Sequence, residues 1–325
     1  MKVLITGGAG FIGFHLAKAF VMKDYEVDIA DIINTQDLDK ELNELLKKDN
    51  CKYIKCELLI DLEKNLNLNK NYDYIIHLAA IVGVENVISN SYGVLCKNQL
   101  MLHNIIEFAK KQTNNPKFIF TSTSEVYGGS QYHNLIKYPT PEKNIITLPD
   151  LSLPRTSYML SKLYGEAMCH ASGLDCLILR PHNIYGPRMG MKHVIPQLIK
   201  KILNTPDQGS LDVYSPNHTR TFCYVDYAVK KILSLLEKPN SIPNVLNLGV
   251  TEPEIKIKDL AKILLKLSNR NDITINELED TQGSPSRRVP DTTKLNTISQ
   301  DVAKTSFLEG VSKTYNWYRE FLKQT

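Results

Sequence analysis

The chain has 325 residues, 42% hydrophobic and 23% charged, and 39 basic against 35 acidic residues give a formal net charge of +4. That length allows one large domain or two modest ones with sound cores. The charge balance is too even, and too free of Lys/Arg stripes with interleaved aromatics, to argue for a nucleic-acid partner.

Strand-length apolar runs occupy residues 3–5, 27–30, 53–54, 74–78, 117–121 and 176–179, and amphipathic stretches of helical period lie between them at 12–22, 38–48, 99–111 and 157–172. Strands separated by helices imply crossovers and a parallel sheet covered on both faces. Beyond about residue 183 the pattern loosens, with Pro, Asn and Ser rising at 204–220 and 280–290, while helical period returns at 194–203, 227–237, 257–267 and 310–322. The expected fold is α/β: a doubly wound parallel sheet with a second, smaller and more irregular lobe toward the C-terminus. Residues 1–182 with a return at roughly 222–250 are assigned to the first domain, and 183–221 with 251–325 to the second.

Cys51, Cys56, Cys96, Cys169, Cys176 and Cys223 form no Cys-x-x-Cys pair and have no His cluster beside them, so neither a metal site nor a disulfide framework is expected. The chain starts on the strand-like run Lys2-Val3-Leu4-Ile5 without a charged leader and apolar core. No apolar stretch reaches membrane-spanning length. A cytoplasmic protein with no membrane partner is the expectation.

The first run leads into Thr6-Gly7-Gly8-Ala9-Gly10-Phe11-Ile12-Gly13 and then a helix. A glycine-rich turn at that position brings backbone N–H groups and the helix dipole onto a pyrophosphate. Gly7 permits the tight turn, Gly10 the approach of the phosphates, and Gly13 close packing of helix on sheet. The second run ends at Asp31, 18 residues beyond Gly13. A carboxylate there accepts from ribose hydroxyls and repels a 2′-phosphate, which favours NAD over NADP. A solvated strand-end aspartate is the weaker reading at this spacing.

Tyr158-Met-Leu-Ser-Lys162 puts a phenol and an ammonium on one helix face. A cation there favours the phenolate, which can take a hydroxyl proton while hydride leaves to nicotinamide. The run Phe120-Thr121-Ser122-Thr123-Ser124-Glu125-Val126-Tyr127-Gly128 gathers polar groups at the C-terminal end of an apolar strand, where ligands bind in open parallel sheets. Thr123 is placed to hydrogen-bond the hydroxyl being oxidised, and Glu125 to act as a second acid or base. Strand-end capping and a surface charge are the plainer alternatives for these residues.

Together these residues resemble the extended short-chain dehydrogenase/reductase superfamily, and within it the NAD-dependent nucleotide-sugar epimerases, dehydratases and decarboxylases. The likeness spans nearly the whole chain. It includes His77-Leu78-Ala79-Ala80, Arg180-Pro181-His182-Asn183-Ile184-Tyr185-Gly186-Pro187-Arg188, Arg220-Thr-Phe-Cys-Tyr-Val-Asp226 and Arg287-Arg288-Val-Pro-Asp291.

The resemblance implies an NAD-binding domain with a Rossmann-type doubly wound sheet, a smaller, mixed α/β C-terminal substrate lobe for a nucleotide-diphosphate sugar, and a homodimer built on a four-helix bundle. Phe11, Ile12, Glu57, Leu58, Leu78, Ala79, Ala80 and Pro181 join the glycines, Asp31, Tyr158 and Lys162 on the cofactor side. Asn183, Val194, Arg220 and Arg288 fall on the substrate side, Arg pairing well with pyrophosphate oxygens. There are departures: Cys56-Glu57-Leu58 stands where a Gly-Asp pair is usual, and Tyr214-Ser-Pro-Asn-His-Thr219 lacks the usual two glycines. His182 is an unusual side chain in its run and either touches substrate or packs.

By the same resemblance, Tyr158 takes the C4 hydroxyl proton of the sugar as C4 hydride passes to NAD. The triplet Thr123-Ser124-Glu125 then resembles that of uronate decarboxylases and some 4,6-dehydratases, so loss of carbon dioxide or water is expected. A 4-epimerase is the second expectation. A non-catalytic NAD(H)-binding sensor is a third, against which the intact Tyr158, Lys162 and Thr123 argue.

Overall fold

A computed structural model describes residues 1–60, 62, 68, 71–237, 244–281, 283–299 and 301–324. The first part of the chain alternates β1 (Lys2–Thr6), α1 (Phe11–Val21), β2 (Glu26–Asp31), α2 (Lys40–Leu45), β3 (Cys51–Lys55), β4 (Tyr74–His77), α3 (Val84–Ser89), α4 (Ser91–Lys110), β5 (Lys117–Thr121), α5 (Gly128–Tyr132), α6 (Pro154–Ala171) and β6 (Cys176–Pro181). With the Val245–Leu248 strand these form a seven-stranded sheet in the order Val245–Leu248, β6, β5, β4, β1, β2, β3. The pairs β1–β2, β2–β3, β1–β4, β4–β5 and β5–β6 are parallel. Strand order reverses between β1 and β4, and crevices for ligands open at the carboxyl ends of strands at such a point.

The sheet is held by burial. Val3, Leu4, Ile5, Ile29, Ile75, Phe118, Ile119 and Ile178 are all fully buried, and each such side chain contributes about 1.5–3 kcal/mol. This is the doubly wound α/β class that the alternating apolar runs predict.

Helix limits follow local chemistry. α2 spans only six residues of the predicted 38–48, and it starts at Lys40 because Asp39 caps it by accepting from Leu42 N at 3.0 Å. α4 begins earlier than the predicted 99, where Asn90 accepts from Gly93 N at 3.0 Å. α6 opens with Pro154 in its first turn, where a missing N–H costs nothing.

The chain divides into two compact units: Met1–Ile136, Asn144–Pro181 and Ile232–Leu246 in one, and Lys137–Lys143, His182–Lys231 and Asn247–Thr325 in the other. The second unit contains small pairings. Ser210–Tyr214 lies parallel to Thr274–Leu278, and Thr219–Thr221 is flanked by antiparallel Glu254–Lys256 and parallel Arg287–Arg288. Among the described residues, no helix is long and apolar enough to cross a membrane, and no cluster of His, Cys, Asp and Glu could hold a metal ion.

Candidate active site

The glycine turn is fixed from both sides. Gly7 N donates to Ala30 O at 2.8 Å and Gly10 N to Gly7 O at 3.1 Å. Gly7 has φ +69°, and a Cβ there would sit 2.7 Å from Ala79 N, against the backbone that leaves β4. A Cβ on Gly13 would lie 2.5 Å from Gly7 O and 2.6 Å from Gly8 Cα. Gly13 therefore lets α1 pack on the turn itself, where the sequence reading put it against the sheet. Gly8, which that reading left without a role, lies 2.8 Å (as a built Cβ) from the Ile29 side chain. Gly10 is exposed and a Cβ would meet only Gly7 O, at 3.2 Å.

Gly10 also precedes the first turn of α1, which has no side-chain cap. Half-buried Phe11 and Ile12 begin the helix. A turn whose last glycine, Gly10, is exposed at a helix N-terminus without a side-chain cap fits a pyrophosphate. Asp31, ending β2, accepts from Ala9 N at 3.0 Å and Ile32 N at 2.8 Å. It thus stands beside the same turn with acceptor capacity left over. Leu78, Ala79 and Ala80, all half-buried, follow β4. These residues fit a dinucleotide such as NAD.

Glu57 accepts from Leu59 N at 3.1 Å. The Leu58 side chain is buried in the core with Tyr72, Ile75 and Ile105, and its carbonyl accepts from Asn104 Nδ2 at 2.8 Å. What Leu58 has to offer a cofactor is backbone, not side chain. Pro181 closes β6, half-buried.

One face of α6 carries Tyr158, Lys162 and Glu166 at steps of four. Lys162 is buried, donates to Thr121 O at 2.8 Å, and its Nζ lies 5.0 Å from the Phe120 ring centroid and 6.0 Å from that of Tyr158. Burial pushes Lys162 down to about 8, with Cys169 and Glu166 acting in the opposite sense. Tyr158 hydrogen-bonds Thr123, whose Oγ1 also accepts from Glu125 N at 3.2 Å and so caps the turn at Ser124–Tyr127. Burial holds the Tyr158 phenol above its ordinary range, the Glu125 charge adds to that, and only the Thr123 hydrogen bond lowers it.

The expected lowering of the phenol by Lys162 is therefore corrected. The ammonium is committed to the Thr121 carbonyl, and burial outweighs it at the phenol. Glu125 is partly exposed, with Arg155 Nη2 at 3.6 Å from its Oε1. Ser124, between Thr123 and Glu125, is buried.

Beside these, His77 is buried, shares a 2.8 Å hydrogen bond with Thr6 Oγ1, and stacks on Phe118 and Phe120. Burial, with the Lys162 charge adding, pushes it down to about 3. The sequence reading missed Glu166, which lies four residues beyond Lys162 on the same face; that spacing was the available signal.

In the second unit, Arg288 pairs directly opposite Arg220 on adjacent strands. Arg220 is buried and donates to Thr219 O at 2.7 Å, Ser284 Oγ at 3.2 Å and Pro285 O. Burial, then the Arg288 charge, pushes Arg220 down to about 9. Two guanidinium groups so placed favour an anion of matching spread. Tyr138, whose ring lies 4.9 Å from the Arg287 guanidinium, belongs to this cluster and was also missed.

Asn183 has φ +44° and donates to Thr221 O at 2.9 Å, leaving its carbonyl oxygen to accept. Val194 begins the helix Val194–Asn204, half-buried. His182 is buried, with Nε2 3.1 Å from Asn247 Oδ1, so it packs within its unit.

Residues 3–249 match the model of the NAD dependent epimerase/dehydratase family. The chain is 32% identical to the UDP-N-acetyl-alpha-D-glucosaminuronate decarboxylase of Bacillus cytotoxicus, over 98% of each chain. It is also 32% identical to the dTDP-D-glucose 4,6-dehydratase of Dictyostelium discoideum, over 82% of this chain and 62% of that one. The crystal structure of UDP-glucuronic acid 4-epimerase from Bacillus cereus with UDP-glucuronic acid and NAD superimposes with a TM-score of 0.81 at 28% identity, covering 99% of this chain and 100% of the other.

Proposed function

Since the chain belongs to the NAD dependent epimerase/dehydratase family, an enzyme family acting with NAD on nucleotide-activated sugars, we propose that it oxidises C4 of a nucleotide-activated uronic acid and releases carbon dioxide. The Gly7–Gly13 turn, Asp31 and the residues after β4 would hold NAD, which in its oxidised form accepts hydride and carries positive charge favouring the phenolate. Tyr158 takes the C4 hydroxyl proton. Lys162 supplies a fixed positive charge on the same helix face, and Thr123 orients both the phenol and the hydroxyl.

The 4-ketone makes the C6 carboxylate a β-keto acid. The C5–C6 bond breaks, its electron pair moves toward the C4 oxygen, and carbon dioxide leaves. Glu125 is the carboxyl group that would then return a proton at C5. Arg220 and Arg288, with Asn183 tied to the Arg220 strand through Thr221 O, would hold the diphosphate side, and Val194 is assigned to the same side by the family resemblance.

The observation that carries decarboxylation over dehydration is Ser124. Expelling a C6 hydroxyl needs a proton donor besides the C5 base. Here Glu125 is the single carboxyl group of the strand-end turn, and its neighbour Ser124 is uncharged and buried. Loss of carbon dioxide needs no leaving-group acid.

α4 and α6 lie side by side, Gln99 donating to Ser161 O at 2.7 Å, and expose Tyr92, Leu100 and Tyr164. These faces support a homodimer through the two helices. Six free cysteines accord with a reducing cytoplasm.

The test is mass spectrometry of products formed from NAD and a panel of nucleotide-activated uronic acids and hexoses. Loss of carbon dioxide, alone or with two hydrogens, is expected. Loss of water would make the enzyme a dehydratase, and an isomer of unchanged mass an epimerase.

A further inference from the structure

Beneath the side chains assigned to catalysis runs a chain of buried polar groups that the proposed chemistry does not use. Glu166 on α6 accepts from Arg180 Nε at 2.9 Å and Nη2 at 2.6 Å, and from Ser122 Oγ at 2.5 Å. Arg180, on β6, also donates to Tyr127 Oη at 2.8 Å, and its guanidinium lies 5.0 Å from the Tyr127 ring centroid. The side chains of Arg180 and Glu166 are only 5% and 8% exposed, and Ser122 and Tyr127 are buried.

A buried ion pair is a poor source of stability, because desolvation offsets the attraction and well-packed apolar groups often do as well. It does confer fixed geometry, since an Arg–carboxylate fork tolerates little displacement. The four groups come from four segments. Ser122 directly precedes Thr123. Tyr127 ends the turn that carries Glu125. Glu166 shares α6 with Tyr158 and Lys162. Arg180, on β6, joins them.

We propose that the Glu166–Arg180 pair is a positioning clamp, which holds the strand end bearing Thr123, the turn bearing Glu125 and the helix bearing Tyr158 and Lys162 in one fixed arrangement. The inference rests on the catalytic reading of Tyr158 and Lys162. The clamp has an electrostatic side as well. Lys162 faces neutral His77 from β4, the Thr121 carbonyl from β5, and Tyr158, Glu166 and Cys169 along its own helix. Cys169 is held neutral by its Cys176 hydrogen bond and by burial, which raise its thiol well above the ordinary range, so Glu166 is the charged group among these that favours the ammonium against burial.

The test compares Glu166→Gln, Glu166→Asp and Arg180→Lys. Charge on Lys162 is lost as pH rises through about 8, so kcat falls there. Removing the carboxylate lets Lys162 release its proton at lower pH. Glu166→Gln is therefore expected to keep NAD affinity and KM within about threefold, to lose roughly 10- to 100-fold in kcat, and to move the alkaline fall of kcat to lower pH. Glu166→Asp keeps the charge, so the fall stays in place while kcat recovers in part.

In the protein without NAD, carbon-13 labelled lysine NMR, with Lys162 assigned through Lys162→Met, should show Lys162 titrating lower in Glu166→Gln. Unchanged kcat and an unmoved titration overturn the clamp, as do equal effects of Gln and Asp. Should Glu166→Gln fail to fold, Glu166→Asp and Arg180→Lys decide: reduced kcat at constant KM supports the clamp, and wild-type kcat in both overturns it. Tyr158→Phe separates the two claims. Its retained activity would sink the catalytic reading, whereas an inactive Tyr158→Phe beside a wild-type Glu166→Gln sinks the clamp alone.

Discussion

The two compact units place their polar groups by different means. In the first, Thr123, Glu125 and the glycine turn sit at the carboxyl ends of strands in one continuous parallel sheet, and Tyr158 and Lys162 on a helix tied to that sheet by the Lys162–Thr121 hydrogen bond. In the second, Arg220 and Arg288 sit on strands of two or three residues, and Arg220 is held by the carbonyls of Thr219, on its own strand, and of Pro285, in a loop. In the proposed chemistry the first set handles the proton and the hydride. The arginine pair keeps two like charges together, a cost that a bound anion relieves. The first unit should therefore govern kcat and the second KM.

Tyr158→Phe tests the first half of that contrast and carries the largest effect. It should lower kcat by about 1,000-fold or more with NAD still bound and KM little changed. A fall in NAD affinity with kcat preserved would break the contrast.

His77 probes how tightly the sheet of the first unit encloses its polar groups. Its folded value of about 3 lies below the ordinary 6.5, so the unfolded chain binds the extra proton first. Stability is then intact above pH 6.5 and drains away as pH falls toward 3, by at most about 5 kcal/mol. Urea midpoints measured against pH should show this, and His77→Gln should flatten the curve over that window.

Arg288→Ala tests the second half. KM for the nucleotide sugar should rise roughly 10- to 100-fold, with kcat near wild type and weaker salt dependence. The smallest effect belongs to Asp31→Ala, which should narrow the preference for NAD over NADP by about 10-fold in measured Kd.

The same contrast explains what was legible in the sequence. A strand buried on both faces reads as an apolar run, so β1, β2, β4, β5 and β6 stood out, and with them the ends that carry Asp31 and Thr123. The Val245–Leu248 strand was not anticipated, because Asn247 interrupts its short apolar run. Most strands of the second unit span two or three residues, too few for a period; Ser210–Tyr214 and Thr274–Leu278 span five, but there too the partner is far along the chain, and Thr219 N reaches Ser286 O at 2.8 Å.

Lys137–Lys143 belongs to the second unit through the bridge Thr140–Pro290 and the hydrogen bond from Tyr138 Oη to Arg287 O at 3.0 Å, pairings that leave no local trace. At the site, spacing alone marks Tyr158 and Lys162 on one face of α6. It does not reveal that Lys162 points at a backbone carbonyl, nor that Arg180 completes a buried pair with Glu166.

The most direct test of the account is stopped-flow absorbance of the nicotinamide on mixing NAD-loaded enzyme with a nucleotide-activated uronic acid. The account predicts rapid appearance of reduced cofactor before carbon dioxide is released, and none with Tyr158→Phe. Release of carbon dioxide with no reduced cofactor at any time, or an unaltered signal in Tyr158→Phe, would contradict it.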